Sequence, residues 1–218
     1  PQFAILSSLI LFISKKWKAV IFITISGILL FLWISYEMGW HIWVDYLRVL
    51  IRSGSQFGTY GIDPRQMYNI KAILTFILGK QNASWINLLS WTFFVVACLG
   101  IIIIWRDGKW ESDSAGIDLK YSLAITLFIF SFPHVNTHDS FILVAAASLF
   151  YKYLIHQGSP SIKLFNIFIL SWPLLFLLSR FANQIKILSW TPYLLITIFL
   201  FWQLQMLFNR RTSLSMLK

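Results

Sequence analysis

The sequence predicts an all-α, polytopic membrane protein, and three observations carry that reading. Hydrophobic residues make up 58% of the 218-residue chain and charged residues only 12%, with a mean hydropathy of +0.71, well above an ordinary soluble domain. The apolar residues gather into uncharged runs whose helical lengths approach the ~30 Å hydrocarbon thickness of a bilayer. The basic residues fall between those runs, where they set orientation and meet anionic lipid. The net charge of +10 therefore argues for membrane topology and against a nucleic-acid partner.

Measured against about 20 residues for a spanning helix, the runs are Pro1 to Ser14, Ala19 to Tyr36, Gln81 to Trp105, Tyr121 to Ser131, Phe141 to Tyr151, Leu164 to Ser179 and Ile187 to Asn209. About seven membrane segments in a single transmembrane domain over 1–218 is the expectation, three of them short. Alternating crossings put Lys15, Lys16 and Lys18, Lys152 and Lys163, Arg210, Arg211 and Lys218, and the mixed-charge loop from Arg106 to Lys120 on one side. That side is the cytoplasm by the positive-inside rule. The basic segment Arg180 to Lys186 runs against the bias, because it falls outside.

The long outer loop, 37–80, carries two helical patterns. Trp40, Val44, Leu47 and Ile51 recur at helical spacing opposite His41, Asp45, Arg48 and Arg52, as in an amphipathic helix lying in the interface plane, with Gly54 to stop it. A second helix is expected from Asp63: Asp63 as cap, Pro64 at the first helical position, Gln66 three after the cap, and an apolar stripe of Met67, Ile70, Leu74 and Ile77 ending at Gly79. Its other face carries Arg65, Tyr68 and Lys71.

The chain opens as Pro1-Gln2-Phe3-Ala4-Ile5, with neither an initiator methionine nor a basic leader, so the expectation is that it is the C-terminal portion of a longer protein. Cys98 is the one cysteine; within an apolar run it reads as a small hydrophobe.

The most informative stretch is the polar knot Phe132-Pro133-His134-Val135-Asn136-Thr137-His138-Asp139, set between two apolar runs. Proline, two histidines and a carboxylate are expensive at membrane depth and are kept there for function. The 14 residues from Leu119 to Phe132 reach about 21 Å as a helix, so the knot is expected at or somewhat below the outer interface, where irregular backbone requires a protein interior or a watery cavity. Its residues admit several chemistries. His134, His138 and Asp139 match a two-histidine, one-carboxylate metal set if the segment is helical, which Pro133 opposes. His134 and Asp139 also match the histidine and aspartate spacing of glycerophosphate acyltransferases, although those enzymes have a soluble α/β domain. The bland reading is a capped turn between two helices.

The Pro133-His134-x-x-x-His138-Asp139 pattern resembles the Pro-His-x-x-x-(Tyr/His)-Asp signature of glycosyltransferase family 87, the polyprenyl-phosphate-mannose-dependent mannosyltransferases of GT-C type. Two further stretches fit: Pro1-Gln2 followed by an apolar run and a basic turn at Lys15, and Met67-Tyr68-Asn69-Ile70-Lys71 in the outer loop, where that family often has arginine at the position of Lys71. Phe132 and His138 stand where serine and tyrosine are common, which bears on substrate choice.

The resemblance implies a GT-C-like fold and transfer of a sugar, mannose by the family's habit, from a polyprenyl-phosphate donor to a lipid or glycan acceptor on the outer face of a bacterial plasma membrane. It calls for no cofactor and no metal. His134 would bind or protonate at the donor phosphate, Asp139 would orient His134 or the acceptor, and Lys71 with Arg65 would hold phosphate; Asn136 and His138 would contact substrate. The family's acidic general base belongs to a first outer loop, expected upstream of residue 1, so this stretch alone is expected to be inactive. The rival reading is a non-catalytic membrane protein, a lipid-carrier flippase or an assembly subunit, with the knot as a gating turn.

Overall fold

A computed structural model of the chain describes residues 2–55, 67–106, 114–133, 135, 137–179 and 190–216; among these there are helices and no strands. In order they are α1 (Gln2–Ile13), α2 (Trp17–Met38), α3 (His41–Ser55), α4 (Ile70–Leu78), α5 (Ala83–Trp105), α6 (Ser114–Ser131), α7 (Leu143–His156), α8 (Ser161–Ser179) and α9 (Thr191–Met216), with short 3-10 helices at Lys80–Asn82 and Thr137–Ile142. Each of the seven apolar runs coincides with a helix. Three have the length and hydropathy to cross a bilayer: α2, α5 with the turn before it, and α9 as far as Arg210.

Burial supports the membrane reading. Ser90, Ser122, Thr126 and Gln203 are fully buried, while Phe22, Leu29, Trp33, Val96 and Phe201 are exposed. That inverts the soluble pattern. Lipid solvates apolar side chains as well as a core does, so the interior is free to take small and polar residues that let helices approach and bond. The protein is a membrane-embedded helical protein.

Local chemistry sets the helix ends. Gly39 and Gly79 follow α2 and α4 with φ of 80° and 76°, a region that costs other residues energy. Pro192 sits just inside the start of α9, where its missing N–H is no loss.

The bundle is organised around α6, which packs on α5, α7 and α9. Phe128, Phe150 and Phe199 fill its interior, and Gln203 of α9 donates its amide to Ser122 Oγ at 2.6 Å and to Thr126 Oγ1 at 3.2 Å. The Ser122 hydroxyl in turn donates to the Ala146 carbonyl of α7. Charges collect at one end of this core. Asp118 meets Lys152 at 3.0 Å, Lys120 lies over the Trp105 ring, and the Arg210 guanidinium covers Gly116 so closely that a Cβ there would sit 2.6 Å from it.

α5 and α6 run antiparallel in a register that fixes the height of the knot. Trp105 meets Tyr121 at 4.6 Å, and eleven residues along each helix Phe94 meets Phe132 at 5.1 Å between ring centroids. Eleven residues are about 16 Å of helix. α5 continues a further eleven residues beyond Phe94 to Ala83, so α6 stops about half-way up α5.

The first amphipathic helix forms as expected at α3, and it runs through Gly54 to Ser55. It is hinged to the top of α2 by aromatic packing, with Trp43 stacked on Phe31 at 4.4 Å and donating Nε1–H to Ser35 Oγ at 2.7 Å. Asp45 pairs with Arg48 on the open surface at 3.1 Å. Among the described residues α2 buries no side chain, and it packs on α1 and α3.

The second amphipathic helix departs from expectation. Met67, Tyr68 and Asn69 are not helical, and α4 begins at Ile70 with Asn69 as its cap; the proposed cap Asp63 and the following Pro64 lie outside the described residues. Nor does α4 lie free in the interface: it packs on α5 and α6. Its buried face is Lys71, Ala72 and Thr75, while Ile77 of the expected apolar stripe is 65% exposed. Of that stripe Ile77 faces outward but Met67 is buried, and the small residues Ala72 and Thr75 face the protein because they permit close approach.

Candidate functional site

The knot is built where α6 ends. Pro133 cannot donate a backbone bond, and it disfavours helical geometry in the residue before it, so the last carbonyls of α6 need partners from elsewhere. Asn69 supplies one. Its Nδ2 donates to the Phe132 carbonyl at 2.9 Å, across 63 positions of sequence. The same side chain accepts the Ala72 N–H through Oδ1 at 3.1 Å, the ordinary bond of an N-cap. One fully buried asparagine thus starts α4 and ties that start to the knot.

The segment before α4 is held from a second direction. Tyr193, near the start of α9, donates its hydroxyl to the Met67 carbonyl at 2.8 Å, and its ring packs against Tyr68, Phe76 and Trp190. The beginnings of α4 and α9 and the end of α6 therefore meet at one level, about half the height of α5. Since α4 is nine residues long, or about 13 Å, it climbs from that level to the top of α5. It packs on α5 and α6 over that climb and is not a free surface helix.

Of the residues singled out in the sequence, Lys71 stands in the first turn of α4, two residues past Asn69, and is 3% exposed. Pro133 and Val135 of the knot are buried. Asp139 is half-buried on the short helix Thr137–Ile142, which also carries His138. His134, Asn136 and Arg65 lie outside the described residues. Asp45, on the polar face of α3, is paired on the surface with Arg48.

Two residues went unrecognised in the sequence. Asn69 had a readable signal, a capping residue directly before an apolar helical run. Tyr193 had none, since a tyrosine inside an apolar run looks like any other aromatic there.

Chemically, the arrangement joins the start of α4, which carries a buried lysine, to the segment after α6, whose short helix carries His138 and Asp139. A helix start with a cation beside it favours an anion, and a low-dielectric setting strengthens that preference. No family model matches the chain, and neither the curated proteins nor the solved structures compared with it give a match.

Proposed function

We propose that the protein is a glycosyltransferase that moves a sugar, mannose on the family 87 resemblance, from a polyprenyl-phosphate donor to a lipid or glycan acceptor. It acts at the outer face of a bacterial plasma membrane that the chain crosses about seven times. The supporting observation is the bond from Asn69 to the Phe132 carbonyl. The stretches that carry the resemblance, Met67 to Lys71 and the knot, lie far apart in sequence and touch in the fold. A lipid phosphate drawn down from the headgroup level would find Lys71 and the α4 start at the knot. In this reading His134 binds or protonates at that phosphate, Asp139 orients His134 or the acceptor, and Arg65, Asn136 and His138 complete the substrate contacts.

The test is transfer from polyprenyl-phosphate mannose in membranes carrying the full-length protein. His134→Ala should lower turnover by about 10² or more with insertion unchanged. Asp139→Asn should be milder, because an amide keeps part of the hydrogen bonding. Wild-type turnover in His134→Ala would reduce the knot to a turn.

One observation favours the rival reading of a lipid-carrier flippase. α4 and the α6–α7 break are two interrupted segments that meet at mid-height, as in transporters whose sites form between broken helices. Movement of polyprenyl phosphate across vesicles without any sugar transfer would select that reading.

A further inference from the structure

α6 and α9 run antiparallel and are joined twice. The lower join is direct: Gln203 of α9 donates to Ser122 Oγ and Thr126 Oγ1 of α6 at 2.6 and 3.2 Å. The upper join passes through the segment before α4. Tyr193 of α9 donates its hydroxyl to the Met67 carbonyl at 2.8 Å, Met67 Sδ lies 3.8 Å from Asn69 Nδ2, and that same nitrogen donates to the Phe132 carbonyl at 2.9 Å. Tyr193 stands ten positions from Gln203 along α9, and Phe132 stands ten positions from Ser122 along α6 and its end. Two legs of equal length, about 15 Å each, thus carry the upper join as a rung between them.

The frame is dry. Tyr193, Met67, Asn69, Ser122, Thr126 and Gln203 are each 4% exposed or less, so no water stands ready to replace a bond lost from the rung. What the rung holds is the first residue of the knot. Pro133 breaks the helix directly after Phe132, and the direction in which the chain leaves α6 then depends on few bonds. Asn69 supplies one of them and is not free to shift, because it also accepts the Ala72 N–H that starts α4. The freedom left is a slide of Met67 to Asn69 as a unit, and the Tyr193 hydroxyl removes it.

We propose that Tyr193 is a positioning residue of the site at the knot: by holding the Met67 carbonyl it fixes the exit of the chain from α6, and with it the placement of His138 and Asp139, against the start of α4. The hydroxyl is buried and spent on backbone, so it acts through the knot and touches no substrate. What it positions the knot for rests on the glycosyltransferase reading. A reacting group displaced by 1 Å loses on the order of a hundredfold in rate, and loosening one bond of the rung should cost about a tenth of that.

The test uses the full-length protein in phosphatidylcholine vesicles and two variants. Tyr193→Phe keeps the ring and its packing, and Tyr193→4-aminophenylalanine puts an N–H donor back in the same place. With polyprenyl-phosphate mannose as donor, Tyr193→Phe should lower kcat about tenfold and leave KM within about twofold, and the amine should restore most of kcat. Unchanged kcat in Tyr193→Phe, or a loss that the amine does not reverse, would overturn the proposal. A second readout needs no activity. In a Cys98→Ala, Thr137→Cys background, modification of the folded protein by an impermeant thiol reagent should be about tenfold faster in Tyr193→Phe and return to the starting rate with the amine. Labelling that ignores the hydroxyl would mean that Tyr193 does not hold the knot, whatever the kinetics. Labelling that follows the hydroxyl in a protein whose wild type transfers no sugar would sink the enzyme reading and leave the hold on the knot standing.

Discussion

Asn69 is hydrogen-bonded to the Phe132 carbonyl while it caps α4, so one side chain sets both where that helix begins and where it docks. Asn69→Ala should lose the cap, about 1 kcal/mol, and leave a buried carbonyl unsatisfied, about 1 to 3 kcal/mol more. Asn69→Asp separates the two roles. Aspartate caps as well as asparagine but turns a second oxygen toward the Phe132 carbonyl, so it should destabilise at least as much as alanine. Thermal unfolding of the purified protein in detergent measures both, and an Asn69→Asp protein as stable as wild type would show that the link to the knot contributes nothing.

Lys71 is 3% exposed in the first turn of α4. On the glycosyltransferase reading, Lys71→Met, which keeps most of the volume and removes the charge, should lower sugar transfer about tenfold or more with insertion unchanged, read in membranes carrying the full-length protein. Wild-type transfer in Lys71→Met would mean that the lysine holds no phosphate.

Much of the helix content was legible because uncharged runs bounded by lysine and arginine are a coarse, strong signal, and all seven became helices. The height of the knot was less legible. The short distance from Leu119 to Phe132 implied a turn at or somewhat below the outer interface, whereas the Phe94–Phe132 pairing puts the end of α6 about half-way along α5. The role of α4 was not legible, for a physical reason. Its apolar stripe, Met67, Ile70, Leu74 and Ile77, gives a soluble or interfacial reading, whereas in the fold Met67 is buried, Ile77 faces outward and the small residues Ala72 and Thr75 turn inward. Ala72 and Thr75 carried that information, yet periodicity alone cannot tell which face meets lipid. The link from Asn69 to Phe132 depends on tertiary approach and leaves no mark in either local sequence.

Gln203 offers a test of interior polarity. Its amide nitrogen bonds Ser122 and Thr126, while its Oε1 is buried without a partner. Interhelical hydrogen bonds inside membranes contribute about 0.6 kcal/mol on average, and an unsatisfied buried oxygen offsets more than that. Gln203→Leu, of similar volume, should therefore change stability by less than about 1 kcal/mol in either direction. Gln203→Ala should lose about 2 kcal/mol or more by leaving a cavity between α6, α7 and α9. Equal losses in the two variants, read by thermal unfolding, would mean that the hydrogen bonds and not the packing hold these helices.

Orientation can be checked chemically. The Asp118–Lys152 pair, Lys120 over Trp105 and Arg210 over Gly116 gather charge at the end of the bundle opposite the knot, and excess lysine and arginine mark the cytoplasmic side. In a Cys98→Ala background, a cysteine at Ser55, at the end of α3, should react with an impermeant thiol reagent added to intact cells. One at Ser161, at the start of α8 beside Lys163, should react only after the membrane is opened. A cysteine at Thr137 should react from outside but more slowly than at Ser55, because the α5–α6 register sets the knot about 16 Å below the top of α5 and the reagent must enter a cavity to reach it. Labelling of Ser161→Cys in intact cells would invert the orientation and put the knot on the cytoplasmic side, where a donor presented at the outer face could not reach it.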